Sequence, residues 1–281
     1  MLEQVKIVAD SSSDVLSLDG FPFAAAPLKI TTAEKEYVDD GALDVMQMAE
    51  ELLVYNGKSG SACPSLGDWL TAFGDAQHVF CVTITSNLSG SYNSAAAAAR
   101  EYEEAHPGRR VLVIDSLSAG PEMKLVIEKL RELIEAGLDF DTITAEINAY
   151  MEHTGLLFIL ESLKNLANNG RVSKVVAGAA GILGIRLIGK ASDDGRLEQL
   201  SKSRGEKKAL PNLYQTMKNL GYSGGKVRVS HCLNEALAHS FRDLILAEFP
   251  AANVAVYPAR GLCSFYAEKG GLLVGFEKGL I

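Results

Sequence analysis

Tryptophan, proline and cysteine are scarce in this chain, whose 281 residues include one Trp, 8 Pro and 4 Cys. The cysteines, Cys63, Cys81, Cys232 and Cys263, form no C-x-x-C pair, and the five histidines show no metal-ligand spacing. Structural zinc sites and dithiol redox centres require spacings of that kind. The sequence therefore predicts a protein that uses neither a metal nor another cofactor.

An excess of positive charge and long apolar runs are also missing. The chain has 27 Lys and Arg against 35 Asp and Glu, a net charge of −8, whereas nucleic-acid-binding proteins usually present a basic face. No apolar run approaches the roughly 18 residues of a membrane-spanning helix, and the first residues lack the basic and apolar regions of a signal peptide. We therefore expect a cytoplasmic protein that neither binds nucleic acid nor inserts stably into a membrane.

Hydrophobic residues make up 47% of the chain, and in the first half their spacing alternates between strand and helix patterns. Strands are predicted at residues 5–9, 23–30, 79–85 and 111–114. Helices are predicted at residues 42–55, 66–76, 91–105, 121–136 and 141–154. Such alternation predicts a largely parallel sheet with helices on its faces.

The second half follows a different pattern. Strands are predicted at residues 156–160, 185–192, 197–203, 227–231, 253–257 and 271–277, and helices at 163–168, 206–220 and 234–248. The turn Asp193-Asp194-Gly195-Arg196 is typical of a β-hairpin, and Gly178, Gly181 and Gly184 indicate close packing rather than a dinucleotide fingerprint. We predict an α/β protein of two domains: an α/β domain with a parallel sheet (residues 1–158) and an α+β domain with a mixed or antiparallel sheet (residues 159–281).

Three turns rich in hydroxyl groups lie between a predicted strand and the helix that follows it, at residues 10–14, 85–91 and 115–120. Ligands of parallel sheets bind at this edge, beyond the carboxyl ends of the strands. Ser86, Ser89 and Ser91 lie just before or at the start of a helix, where free N–H groups and the helix dipole attract anions. The turn is predicted either as an anion site or, more simply, as a helix start capped by Ser89.

Some charged residues allow two interpretations each. Arg171 follows the helix stop Asn169-Gly170 and either binds a carboxylate or phosphate through its forked guanidinium or is an ordinary surface arginine. The paired carboxylates Asp39-Asp40 and Asp193-Asp194 are interpreted as loop and turn residues. Four cations cluster within this acidic chain, and form either a solvated surface or a docking patch: Lys202, Arg204, Lys207 and Lys208.

Several segments together resemble proteins of the DegV family. The family patterns D-S-[ST]-x-D-L, T-S-Q-P-S, I-S-S-x-L-S-G-T-Y-Q-S-A and G-G-R-I are matched, in that order, by Asp10-Ser11-Ser12-Ser13-Asp14, Ser61-Ala62-Cys63-Pro64-Ser65, residues 84–95 and Asn169-Gly170-Arg171-Val172. Each match alone is weak. Jointly they run in order over nearly the whole chain and are specific.

The resemblance implies a two-domain fold that holds one long-chain fatty acid between the domains, with residues 159–281 closing over the lipid. Such proteins are similar to the fatty-acid-binding subunit of bacterial fatty-acid kinase. That subunit presents the acyl carboxylate to a separate kinase, which makes the acyl phosphate. The resemblance therefore implies a carrier with no catalytic residues of its own.

The resemblance also assigns the hydroxyl groups. It implies that Ser61 and Ser89 hydrogen-bond the fatty-acid carboxylate, with Ser86 and Ser91 as near neighbours. The C-terminal signature is degraded, and Tyr266 stands near the position where the family has a histidine of the carboxylate network. A tyrosine hydroxyl can substitute as a donor.

Two arginines receive roles by the same resemblance: Arg171 at the mouth of the site and Arg204 on the surface that meets the kinase. Two alternative functions stay open on the sequence. One is a hydrolase or transferase that acts on an acyl substrate with Ser86 or Ser89 as nucleophile, which needs an adjacent base. The other is a carrier of a different apolar acid without kinase coupling.

Overall fold

The computed structural model describes residues 4–173 and 184–279, so that the predicted glycines Gly178 and Gly181 lie outside the described residues. The strands are β1 (Val5–Asp10), β2 (Phe23–Ala26), β3 (Lys29–Thr32), β4 (Glu36–Val38), β5 (Ser59–Ala62), β6 (His78–Thr83), β7 (Arg110–Asp115), β8 (Thr154–Leu160), β9 (Ile185–Ala191), β10 (Leu197–Arg204), β11 (Val227–His231), β12 (Val254–Pro258) and β13 (Leu272–Glu277).

The helices of the described residues are α1 (Val45–Val54), α2 (Leu66–Phe73), α3 (Ser91–Ala105), α4 (Pro121–Glu135), α5 (Phe140–Glu152), α6 (Lys164–Asn168), α7 (Glu206–Asn219), α8 (Glu235–Glu248) and α9 (Gly261–Ala267), with a 3₁₀ turn at Ser11–Ser13. Within the described ranges no helix combines the length and the apolar character that crossing a membrane requires.

The first large sheet has the strand order β2-β1-β6-β7 and is parallel throughout, which confirms the prediction for the first half. Helices α2 and α3 cover one face through buried residues such as Trp69 and Phe73, and α4 and α5 cover the other. A parallel sheet covered on both faces needs apolar side chains on both sides of its strands, and β6 provides them in its run of buried residues.

The second large sheet has the order β10-β9-β8-β13-β11-β12, in which only β11 and β12 pair in parallel. This arrangement confirms the mixed sheet and the predicted β9–β10 hairpin. Strand β8 belongs entirely to this sheet, so the chain passes from one large sheet to the other before Thr154. The division into domains at residues 158 and 159 stays a prediction.

Helix α4 lies between the two large sheets and is buried along most of its length. Glu128 on α4 accepts hydrogen bonds from the Arg228 guanidinium on β11, at 2.8 Å from Nε and 2.7 Å from Nη2. Arg228 is 5% exposed. Because a buried cation needs a partner, this ion pair fixes the second sheet against α4.

The single strand predicted at residues 23–30 is wrong, because the segment divides between two sheets. Pro27 has no N–H to continue a ladder, and the chain turns there: β2 pairs with β1, whereas β3 joins a small antiparallel sheet of order β4-β3-β5. The N–H of Leu28, at the change of sheet, donates to the Ser11 hydroxyl at 3.0 Å. The small sheet was not predicted, because β5 (Ser-Gly-Ser-Ala) has no apolar alternation. Helix α9 was not predicted either.

Candidate functional site

The three polar turns meet at the carboxyl edge of the parallel sheet, as the sequence predicts. The N–H of Gly120 donates to the carbonyl of Ser12 at 2.8 Å. The N–H of Thr85 donates to the carbonyl of Ser118 at 2.9 Å. Because these bonds run between the turns, the three turns form one connected surface.

A cavity lies beside this surface, between the two large sheets. The polar side chains that line it are Ser61, Ser89, Arg171 and Tyr266. Most of its wall is apolar and includes Leu156, Phe158, Leu160, Leu166, Leu197 and Leu273.

Strand β8 forms much of the apolar wall because both of its faces are apolar. Leu157 and Ile159 point into the core between the second sheet and helices α7 and α8. Leu156, Phe158 and Leu160 point the other way and line the cavity. Successive side chains of a strand alternate between its two faces, so one continuous apolar run builds a core and a cavity wall together.

The hairpin between β9 and β10 closes against the turn that carries Ser89. The Asn87 amide Nδ2 donates to the carbonyl of Asp194 at 2.6 Å. Gly195 has φ +75°, and a Cβ built there would lie 2.2 Å from Thr85 Oγ1. Only glycine fits this position, because it alone combines positive φ with such a close approach.

The hydroxyl groups of Ser61 and Tyr266 form the centre of the polar end, with their oxygens 2.7 Å apart. Ser61 lies on β5 of the small sheet and Tyr266 on α9, so this pairing depends on the tertiary fold. The Ser89 hydroxyl accepts the N–H of Ser91 at 3.2 Å. Each hydroxyl keeps hydrogen-bonding capacity for a further partner in the cavity.

Arg171 lies beside these hydroxyl groups. Its Nε donates to the carbonyl of Leu88 at 3.1 Å and its Nη1 to that of Asn169 at 2.5 Å, while its Cζ lies 5.8 Å from the centre of the Tyr266 ring. No carboxylate of the described residues forms an ion pair with Arg171. The positive charge is therefore available to an anionic ligand.

Ser91, Ser86 and Arg204 do not line the cavity. Ser91 is fully buried, and its hydroxyl donates to Asp10 Oδ2 at 2.5 Å. Ser86 is linked to the neighbouring turn through its N–H, 3.1 Å from Asp115 Oδ1. Ser91 therefore lies near the site without facing the cavity, and its hydroxyl already has a partner inside the protein. The roles of Ser86 and Ser91 beside the ligand carboxylate stay predictions.

The simpler interpretation, that Ser89 only caps helix α3, is not what the structure shows. The N-cap position is Gly90, which provides no side-chain hydrogen bond. Ser89 precedes this cap and faces the cavity. Its bond to the N–H of Ser91 gives it a local structural role beside any role in binding.

Three buried carboxylates behind the site were not recognised as such from the sequence: Asp10, Asp14 and Asp39. Burial raises the pKa of all three, that of Asp14 to about 7 even though its carboxylate accepts the N–H of Arg260 at 2.7 Å. Asp39 was interpreted as a loop residue like Asp40. Only Asp40 is exposed, and no group of acidic, His and Cys side chains in the described ranges is arranged to hold a metal ion.

Solved structures with similar folds contain fatty acids. A DegV family protein from Eubacterium eligens, loaded with heptadecanoic acid, is 48% identical with a TM-score of 0.96 and is aligned over 98% of this chain and 100% of its own. The fatty acid kinase (Fak) B3 protein of Streptococcus pneumoniae, loaded with linoleic acid, is 45% identical with a TM-score of 0.96. It too is aligned over 98% of this chain and 100% of its own.

Sequence comparisons agree with the structural ones. A DegV domain-containing protein of Streptococcus pneumoniae is 45% identical over 276 residues, which cover 97% of this chain and 98% of the relative. The family model described as "Uncharacterised protein, DegV family" matches residues 4–278. A match of this extent, together with relatives aligned over their whole length, shows that the chain belongs to the DegV family.

Proposed function

We propose that this protein binds one long-chain fatty acid, with the carboxylate at Ser61, Ser89, Tyr266 and Arg171 and the tail along the apolar wall. The observation that carries the proposal is a largely apolar cavity whose polar groups lie together. Hydroxyl groups and a guanidinium are suited to a carboxylate, while the leucine-rich wall offers only apolar contacts.

The tail supplies most of the binding free energy. Burial of each CH₂ group stabilises by about 0.8 kcal/mol, so a tail of about sixteen carbons gains on the order of 10 kcal/mol. Association and ordering of the chain offset a large part of this gain. The polar groups therefore need only fix which end of the ligand lies where.

The two loaded relatives support the proposal, because each ligand is a long apolar chain that ends in a carboxylate. The serine-nucleophile alternative needs a base next to Ser86 or Ser89. All five histidines lie in the described part of the chain, and none lines the cavity or hydrogen-bonds either serine. The geometry thus favours a carrier over a hydrolase.

We further propose that the carrier presents the carboxylate to a separate fatty-acid kinase, as the name of the pneumococcal Fak B3 protein suggests for that relative. Lys202, Arg204, Lys207 and Lys208 are exposed, and none forms an ion pair with another described residue. Such unpaired cations on an acidic chain suit an acidic partner surface. Leu197 on the cavity wall and Arg204 lie at opposite ends of β10, about 20 Å apart along the strand, so this cluster would guide the encounter rather than hold the lipid.

Denaturing mass spectrometry of the purified protein, with and without incubation with a fatty-acid panel, tests the binding proposal. We expect one acyl chain per protein in the native spectrum and free fatty acid after denaturation. A Leu273→Trp variant, which fills the cavity, provides the control and should carry shorter chains or none. Protein that neither retains nor takes up any fatty acid would contradict the proposal, whereas another apolar acid in the extract would favour the alternative carrier function.

A further inference from the structure

Helix α9 carries Tyr266, and the first turn of this helix is held by a buried carboxylate from another part of the chain. Asp39 Oδ1 accepts the N–H of Gly261 at 2.9 Å, and Asp39 Oδ2 accepts the N–H of Leu262 at 2.9 Å. Asp39 is fully buried. Both oxygens of one carboxylate are therefore committed to the two N–H groups that begin the helix.

The small sheet holds the same helix near its other end. Ser61 on β5 meets the Tyr266 hydroxyl, and Asp39 follows directly after β4. Ile30 on β3 pairs with Tyr37 on β4 and with Ser61 on β5. The two edge strands are about 10 Å apart across β3, and Gly261 and Tyr266 are about 7.5 Å apart along the axis of α9.

Packing leaves little freedom at the Asp39 contact. A Cβ built on Gly261 would lie 2.7 Å from Asp39 Oδ1, so the helix backbone lies directly against the carboxylate. Phe265, next to Tyr266, is buried against Ile30 and Met48. A change in the first turn of α9 is therefore transmitted along one short helix to the hydroxyl that lines the cavity.

We infer that Asp39 is a positioning residue of the carboxylate site: by holding the first turn of α9, it sets where the Tyr266 hydroxyl meets the head group of the ligand. The inference rests on the proposed fatty-acid binding. The small sheet then has two roles: it carries Ser61, and it holds α9 in place. Asp39, just after β4, contacts the first turn of α9, and Ser61 on β5 contacts Tyr266 near its end.

A double-mutant cycle with oleic acid tests the inference. We expect Asp39→Asn and Tyr266→Phe each to weaken oleic-acid binding roughly tenfold. The double variant should bind oleic acid about as tightly as the single variant with the lower affinity. If the two residues acted independently, the two losses would multiply, and the double variant would bind roughly a hundredfold more weakly than the wild type. Asp40→Asn is the matched control, since Asp40 is exposed next to Asp39 and its side chain accepts only the N–H of Ala42.

Hydrogen exchange of the ligand-free protein gives a readout that does not depend on binding. The amides of Gly261 and Leu262 should exchange faster in Asp39→Asn than in the wild type. If Asp39→Asn does not fold, Gly261→Ala should produce the same losses, because its added methyl group displaces the first turn while the carboxylate remains.

The outcomes separate the two proposals. Wild-type protein that binds no oleic acid overturns the proposed function and, with it, the role of Asp39. Wild-type binding with unchanged affinity in Asp39→Asn overturns the positioning role alone, and so does a multiplicative loss in the double variant.

Discussion

The two large sheets contribute different chemistry to the cavity between them. The four-stranded parallel sheet contributes turns at its strand ends, which place Ser89 and Ala119 at the cavity. The six-stranded sheet contributes a strand face, with Leu156, Phe158 and Leu273. A sheet covered by helices on both faces has only its strand ends free for a ligand, whereas the six-stranded sheet leaves part of one face open.

Most of the apolar wall comes from the C-terminal half of the chain, whereas the polar groups come from both halves. Strand ends offer hydroxyl groups and backbone N–H groups, while an open strand face offers side chains in a row. Tyr266 and Arg171 come from the C-terminal half, yet they lie on a helix and in a loop rather than on a strand. The polar end is thus assembled from a strand end with Ser89, the small sheet with Ser61, a helix and a loop, whereas much of the apolar wall is one open strand face.

The largest expected effect comes from placing a charge on the open strand face. Leu273→Asp puts a carboxylate on the apolar wall, and we expect fatty-acid affinity to fall by several kcal/mol, which effectively abolishes binding. Leu272 is the matched control, since it points to the opposite face and is fully buried in the core. Leu272→Ala should lower the free energy of unfolding by about 2–5 kcal/mol and leave affinity almost unchanged.

Isothermal titration and urea unfolding of both variants measure the two effects. If both substitutions changed affinity equally, the assignment of the two faces of β13 would be wrong.

The next effect concerns the buried carboxylates behind the strand ends. Burial raises the pKa of Asp14 to about 7, above its value near 4 in the unfolded chain. The negative charge of the neighbouring Asp39 also raises this pKa. Between these values the folded protein holds a proton that the unfolded chain has released, so stability falls as pH rises from about 4 to 7. Asp14→Asn removes this contribution, which is on the order of 4 kcal/mol for about 3 pKa units at about 1.4 kcal/mol each.

The measurement is the free energy of unfolding of the wild type and Asp14→Asn between pH 4 and pH 8. The variant should lose less stability over this window. Asp10 and Asp39, whose pKa values burial also raises, remain in both proteins, so the difference reports Asp14 together with its coupling to Asp39. Parallel curves would show that Asp14 titrates at its ordinary pKa.

A smaller effect is expected from removing one hydroxyl at a strand end. Ser89→Ala should weaken fatty-acid binding by about 2 kcal/mol, the size of a hydrogen bond to a charged group. Ser86→Ala, in the same turn but outside the cavity, should bind as the wild type does. Thermal unfolding of both variants provides the control: a Ser89→Ala variant with reduced stability and wild-type affinity would leave only the local structural role.

The smallest effect lies outside both regions. Arg204→Ala should slow acyl-phosphate formation by the partner kinase a few-fold at low salt and leave fatty-acid affinity unchanged. The difference from wild type should shrink as salt screens the charge. Arg196→Ala is the control, since Arg196 at the hairpin turn is already paired with Asp194 at 2.9 Å. A loss of lipid binding in Arg204→Ala would place the cluster in the site instead of on a docking surface.

Much of the fold follows from local patterns. The apolar runs of β1, β6 and β7 with helices between them specify a parallel sheet, and the turn around Gly195 specifies the hairpin. The small sheet could not be predicted in this way, because β4 and β5 are short and lack alternation. Pro27 did give a local signal against a continuous strand at residues 23–30.

The candidate site was predictable in part. The turn with Ser89 and the position of Arg171 were identified from hydroxyl spacing, the helix stop and the family resemblance. Ser91 was placed in the site by the same reasoning, yet its hydroxyl binds Asp10. Neighbouring serines in one turn are alike in sequence, and only their orientation decides which of them reaches the cavity.

The sequence by itself determined most strands and helices of the two large sheets, the polar strand ends and the family, because each depends on residues close together in the chain or on motifs in order. Only the tertiary structure decided that Ser61 meets Tyr266, 205 positions later, and that Asp39 holds the start of α9. Such pairings depend on how three sheets pack, and burial changes the chemistry of a carboxylate only once that packing removes it from water.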